Sequence, residues 1–312
     1  MLTVIGEALI DEVVLPGKVP VPHVGGSPMN VAVGLARLGH PVQFLGRFGR
    51  DAYGDMVAGH LRSNDVMVPM PPDSQPTSVA RAMLDSDGAA LYEFDLDWSL
   101  PDLGPGNGAA NFMVAATTLL HTGSIATMLA PGAEQVLAAV IEAHPRAIIS
   151  YDPNCRPSII TDVDLARSQA EKFVALADVV KASDEDLAWL YPGVDPKESA
   201  RKWLGLGGAE GPAVVVLTQG SAGPWAVCAA GEASCAAPPV KVADTVGAGD
   251  SFMAALLSTL VDRELDGAQR RAELRAMSTS TLADVIGYAA RAAAITVSRA
   301  GANPPTRAEL HD

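Results

Sequence analysis

Short, largely apolar runs recur along the chain, at 2–10, 42–45, 118–120, 147–150, 179–180 and 213–217, and helix-period stretches alternate with several of them. Val31, Leu35 and Leu38 stand at i, i+4 and i+7, which puts them on one helical face. A strand that is apolar at every position has both faces covered. Strand and helix alternation of this kind therefore predicts an α/β fold with a mostly parallel sheet between two helical layers. No internal repeat interrupts it.

In such sheets ligands sit beyond the carboxyl ends of the strands. The polar residues fall there. Asp11 closes the first run, His121-Thr122-Gly123-Ser124 follows Leu120, Asp152-Pro153-Asn154 follows Ile149, residues 181–186 follow Val180, and Thr218-Gln219-Gly220 follows Leu217. Five strand ends are thus expected to face one crevice.

Two segments differ in character. Residues 16–23 and 65–98 are rich in Pro and Asp and hold β-prone pieces at 77–84 and 89–94, with Asp85-Ser86-Asp87-Gly88 between them as a hairpin turn. Residues 101–108 are expected to form a flexible return, and residues 262–280 an exposed helix and loop. The chain reads as one domain over 1–312, with lid segments at about 12–24 and 65–100.

Chemistry concentrates in Asp244-Thr245-Val246-Gly247-Ala248-Gly249-Asp250-Ser251-Phe252. Gly247 and Gly249 remove the Cβ atoms that would keep an anion off the backbone, and the N–H groups at the start of a helix carry the positive end of its dipole. Asp250 in that turn either caps the helix or accepts a proton from a hydroxyl attacking a phosphoryl group. Near the other terminus, Gly25-Gly26 precedes Ser27-Pro28, which reads as an N-cap Ser and an N1 Pro, with Asn30 in the first turn. Ser183-Asp184-Glu185-Asp186 has the spacing of a capping box.

The stretch 244–252, together with Gly25-Gly26-Ser27-Pro28-Met29-Asn30 continuing to Gly39 and Gly46-Arg47-Phe48-Gly49-Arg50-Asp51, resembles the two signatures of the ribokinase-like (PfkB) family of sugar and nucleoside kinases. The resemblance runs from Gly6-Glu7-Ala8-Leu9-Ile10-Asp11 to Arg299-Ala300-Gly301-Ala302 and is nearest to the fructokinase branch. It implies a ribokinase-like three-layer sandwich with a small β-sheet lid. It also implies transfer of the γ-phosphoryl of ATP to a hydroxyl of a small sugar, with Mg²⁺ bridging the phosphates.

Carried over residue by residue, the resemblance makes Asp250 the catalytic base, Gly247, Ala248 and Gly249 the anion hole, and Arg156 of Asp152-Pro153-Asn154-Cys155-Arg156-Pro157 a charge that offsets the transferring oxygens. Asp11, Gly25, Gly26, Asn30, Asn154 and Tyr92 would bind the sugar, and Ser183, Asp186, Thr218, Gly220 and Gly223 the nucleotide. Asp244, Val246, Thr296, Arg299 and Gly301 align with positions that hold K⁺ in K⁺-activated members, mostly by carbonyls. Ala290 departs from the Asn or His of many members, which leaves adenine without that side-chain bond. Fructose is the expected acceptor. The rival is 2-keto-3-deoxygluconate, whose carboxylate needs a clamp that the acidic Tyr92-Glu93-Phe94-Asp95-Leu96-Asp97 lacks. A catalytically silent regulator would have no need of the intact 247–250 element.

Bulk properties narrow the field further. The chain is 48% hydrophobic and carries a net charge of −14, which supports a large core and argues against nucleic acid or an anionic membrane as partner. With no leader-like start and no apolar run near membrane length, a cytoplasmic protein is expected. Cys155, Cys228 and Cys235 form no metal or disulfide spacing. Neither G-x-x-x-x-G-K-[ST] nor a complete G-x-G-x-x-G is present. A lid of two small β pieces needs a partner for its open face, so a homodimer through the lid is expected.

Overall fold

The computed structural model describes residues 1–14, 19–84, 90–101 and 114–311. The turn expected at 85–88 lies outside these residues, as does nearly all of the return expected at 101–108. In chain order the strands are β1 (Leu2–Ile5), β2 (Leu9–Val14), β3 (Val21–Gly25), β4 (Val42–Leu45), β5 (Val79–Leu84), β6 (Ala90–Asp95), β7 (Leu119–Gly123), β8 (Ile148–Asp152), β9 (Val179–Ser183), β10 (Val214–Thr218), β11 (Pro224–Cys228) and β12 (Gly231–Ser234).

Eight of them form one sheet in the order β12-β11-β10-β9-β8-β7-β1-β4, parallel from β4 to β10 and antiparallel at β11 and β12. The unbroken apolar runs have the reason expected of them. Along β10, Val214 and Val216 join one core while Val215 and Leu217 join another on the opposite face. The first core is closed by helices Ser27–Arg37, Ala248–Asp262 and Thr279–Val297, the second by Gly132–Ala143, Val163–Val174 and Pro196–Leu204. This is the three-layer α/β sandwich that the sequence pattern predicts.

The lid is a separate sheet, β3-β2-β5-β6, antiparallel except for the parallel pair β2–β5. Here the first apolar run is not one strand. It breaks after Ile5, and β2 leaves the central sheet for the lid, so Asp11 stands in the lid rather than at the end of β1. Gly6 sits at the break, where a Cβ would lie 2.3 Å from Pro28 Cγ, a packing that a larger residue would prevent. Residues 65–76 are not lid strands either. They run beside the central sheet, bridged at Gln43–Met67 and Gly49–Asp73.

Buried polar groups fix the root of the lid. The Arg47 guanidinium donates to both oxygens of Asp73 at 2.8 Å and to the carbonyls of Asp97, Gln75 and Pro76. Asp51 accepts from the Thr77 N–H and hydroxyl at 2.8 Å each. Both crossings into β5 and out of β6 are thereby tied to one rigid corner. The segment expected as exposed helix and loop is anchored instead: Arg271 Nε donates to the buried Asp178 at 2.8 Å, and Leu274 is buried.

Candidate active site

The helix Ala248–Asp262 starts from Gly247, whose φ of 74° is left-handed and whose missing Cβ leaves room for Ala302, 2.6 Å from where it would be. Asp250 lies in the first turn, nearly buried. Ser27 Oγ donates to its Oδ1 at 2.6 Å and Asn30 Nδ2 to its Oδ2 at 2.8 Å. The two glycine-rich elements, over 200 residues apart in sequence, therefore meet at one carboxylate.

This contact revises the expected role of Ser27. The N-cap of its helix is Gly26, at φ 118°, with Ser27 the first helical residue and no side-chain cap. The hydroxyl is spent on Asp250 instead. Gly26 is forced by its surroundings as well, since a Cβ there would lie 2.4 Å from the Glu7 carbonyl oxygen.

On the sugar side the structure brings Asp11 and Gly25 together across the β2–β3 pair, a Cβ on Gly25 falling 2.1 Å from Asp11 Oδ2. Asp11 stays open to solvent on one side. Crowding by the lid raises its pKa, opposed by the charges of Arg156 and His23. Arg156 is exposed and donates to the Asn154 carbonyl and Oδ1, and its charge is felt by Asp11 and by the buried Glu7. Asn154 adopts φ 36°. Tyr92 stacks on Phe94 in β6, half-exposed.

The nucleotide-side residues line a cavity of about 500 Å³ that includes Thr218, Gly220, Gly223, Ala248, Gly249 and Ala290. Its far wall is apolar, with Pro238, Val240, Val242 and Phe252. Ser183 and Asp186 do form a capping box, and Asp186 Oδ1 also accepts the Cys155 N–H at 2.7 Å. Asp186 is thus committed to joining the β8 and β9 ends.

At the proposed cation position, Asp244 accepts the Val246 N–H at 3.0 Å and the Gly301 N–H at 2.8 Å, which hold its pKa down and bring the two loops together. The Thr296 hydroxyl donates to Ser251 Oγ, its carbonyl accepts the Arg299 N–H, and the Arg299 side chain bonds Glu309. Among the described residues no group of three or more His, Cys, Asp or Glu is arranged to ligate a metal.

The family sequence pattern of the pfkB family carbohydrate kinases matches residues 2–309. The chain belongs to this family. A Klebsiella pneumoniae fructokinase is 36% identical over 82% of this chain and 83% of its own length. A probable fructokinase-4 of Arabidopsis thaliana is 31% identical over 99% of this chain and 91% of its own. The crystal structure of a Xylella fastidiosa fructokinase with bound ATP superposes with a TM-score of 0.86 at 26% identity, over 99% of this chain and 96% of that one.

Two buried groups at the pfkB site escape a reading of the sequence for motifs. Lys181, in the middle of β9, donates from Nζ to Asp152 Oδ2 at 2.6 Å, both side chains being buried. Burial raises Asp152 to about 6 against the pull of Lys181. Glu7 is buried behind the sugar-side strands, accepts the Ala126 N–H, and is raised by burial to about 7. A lysine directly after the apolar pair Val179-Val180 was the available signal for the first, and the Gly6-Glu7 pair for the second.

Proposed function

We propose that the chain transfers the γ-phosphoryl group of ATP to a hydroxyl of a small sugar, with fructose as the acceptor. The observation that carries this is Asp250: a carboxylate in the first helical turn, next to Gly249 in the wall of the 500 Å³ cavity, and bonded to Ser27 and Asn30 of the helix that follows Gly25, whose backbone meets Asp11.

Asp250 takes the hydroxyl proton as the sugar oxygen attacks phosphorus, the bond to the β-phosphate oxygen breaks, and ADP leaves. The backbone N–H groups of Gly249 and Asp250 at the helix start offset the charge on the transferring oxygens, that of Ala248 being bonded to the Thr245 carbonyl. Asp11 accepts sugar hydroxyls, as a carboxylate beside a polyol can. Bound Mg²⁺ would offset the charge of the phosphates. For K⁺, the junction of the 244–246 and 296–301 loops is the proposed position.

The lid supports a homodimer in this reading. Val21, Val13, Ala82 and Tyr92 lie in register across all four lid strands, and Val13, Val21 and Tyr92 are 42%, 57% and 55% exposed. By strand alternation this apolar row shares a face with Asp11, so a second lid covering it would also shield the sugar from water. No helix among the described residues is long and apolar enough to cross a membrane. A cytoplasmic location accords with that and with the acidic charge.

One observation favours a second reading. Arg156, whose charge lowers the pKa of both Asp11 and Glu7, would suit the carboxylate of 2-keto-3-deoxygluconate. The test is ADP release with ATP over fructose, ribose, 2-keto-3-deoxygluconate, tagatose phosphate and nucleosides. The highest kcat/KM on fructose upholds the proposal, the highest on the keto acid selects the second reading, and no sugar-dependent ADP release sinks both.

A further inference from the structure

The residues assigned to the phosphoryl group so far are backbone donors and Arg156, an exposed side chain bonded to its own loop at Asn154 and Cys155. A different cation lies directly behind the turn. Lys181 Nζ stands 3.1 Å from the point that a Cβ on Gly249 would occupy, against the backbone of the anion hole. Its side chain is 4% exposed.

An ammonium has three donors. Among the described residues, Asp152 is the one hydrogen-bond partner of Lys181. Burial opposes its charge, yet Asp152, Asp186 and Asp250 together outweigh burial and keep the proton on. The neighbouring His121 is driven to about 3 by burial and by Lys181, so it adds no charge. Three carboxylates around one ammonium leave the floor of the site negative where a phosphoryl group must arrive. The lysine is the group that offsets this.

Stability is a poor explanation for such a pair. Desolvating two charges costs about as much as their attraction returns, and apolar residues of the same size would fold as well. A charge fixed beneath a water-excluded turn is instead what stabilises developing charge on a transferring group.

We propose that Lys181, held by Asp152 beneath Gly249, is a catalytic residue that donates a hydrogen bond to a γ-phosphoryl oxygen of ATP during transfer. This rests on the kinase reading above. Asp152 then positions the lysine, and its two unmatched donors are the ones the phosphoryl group meets.

The test compares wild type with Lys181→Met, Lys181→Arg and the double variant Lys181→Met/Asp152→Asn, which replaces the ion pair by a neutral one. Thermal melting, kcat, and the affinities for ATP and for ADP by calorimetry are read for each. The double variant is expected to melt near wild type, yet to keep a kcat at least about 100-fold down and an ATP affinity about 10-fold down, with ADP affinity unchanged. Lys181→Arg should recover part of kcat. A double variant with wild-type kcat and a wild-type ratio of ATP to ADP affinity overturns the proposal and makes the pair structural. If wild type phosphorylates no sugar, the kinase reading fails, while the affinity ratio still decides for or against Lys181.

Discussion

Replacing Gly25 by Ala probes the sugar side with a single methyl group. The backbone of Gly25 does not need positive φ, so Ala fits the chain there. Its Cβ would lie 2.1 Å from Asp11 Oδ2, 3.1 Å from Asp11 Cγ and 3.4 Å from Leu9 Cδ1. Only the carboxylate is badly overlapped, and it is the free end of a side chain on the open side of the lid. It must retreat by more than 1 Å to reach ordinary contact. An O–H···O⁻ bond at about 2.6 Å does not survive that displacement. Losing one hydrogen bond to a charged group costs about 1.5–3 kcal/mol, a roughly 10- to 150-fold rise in sugar KM. The KM for ATP should stay within about twofold, because Gly25 does not line the nucleotide cavity. Steady-state kinetics with each substrate varied in turn, alongside thermal melting, reads the split. The neighbouring Gly26→Ala is the contrast: at φ 118° its Cβ meets the immovable Glu7 carbonyl oxygen, so stability should fall instead. A Gly25→Ala enzyme with unchanged sugar KM, or with both KM values raised together, would remove Asp11 from the sugar site.

Glu7 makes stability depend on pH. Its carboxyl is raised from 4.5 to about 7, so the folded state holds the proton more tightly, and stability present at low pH is lost as pH rises from 4.5 through 7. Glu7→Gln should therefore gain on wild type by up to about 3 kcal/mol at pH 8 and by little at pH 4.5. Equal melting differences at both pH values would show that the carboxyl is not so perturbed. The apolar row on the lid predicts a light-scattering mass near twice 32.2 kDa, and Val13→Lys with Val21→Lys should shift it to the monomer value. A wild-type monomer at micromolar concentration would refute the lid interface.

What could be read in the sequence was what is local. The 247–250 turn announces itself because its glycines and carboxylate are contiguous, and the layered α/β fold follows from runs whose successive residues serve opposite cores, as Val214 to Leu217 do. The capping box at Ser183 was visible from spacing alone. Continuous hydrophobicity, however, does not say where a chain changes sheets, so the departure of β2 after Ile5 was hidden within one apolar run. Ser27 reads as a cap in any local window. Its actual partner is 223 residues away, and a hydroxyl follows the stronger acceptor that tertiary packing supplies. Lys181 and Glu7 stood within segments the sequence marked, but their roles did not: what distinguishes them is burial beside particular partners, which no local pattern encodes.

The proposed transfer turns on Asp250 taking the proton of a sugar hydroxyl. Asp250→Asn tests it with little disturbance, since an amide can turn its oxygen to Asn30 Nδ2 and donate to Ser27 Oγ, keeping both contacts while losing the base. Single-turnover transfer from ATP to saturating fructose is the measurement. Wild type should form one fructose phosphate per ADP, and the variant should transfer at a rate lowered by roughly 10²-fold or more, with ATP affinity unchanged. A variant that transfers phosphoryl at the wild-type rate would contradict it.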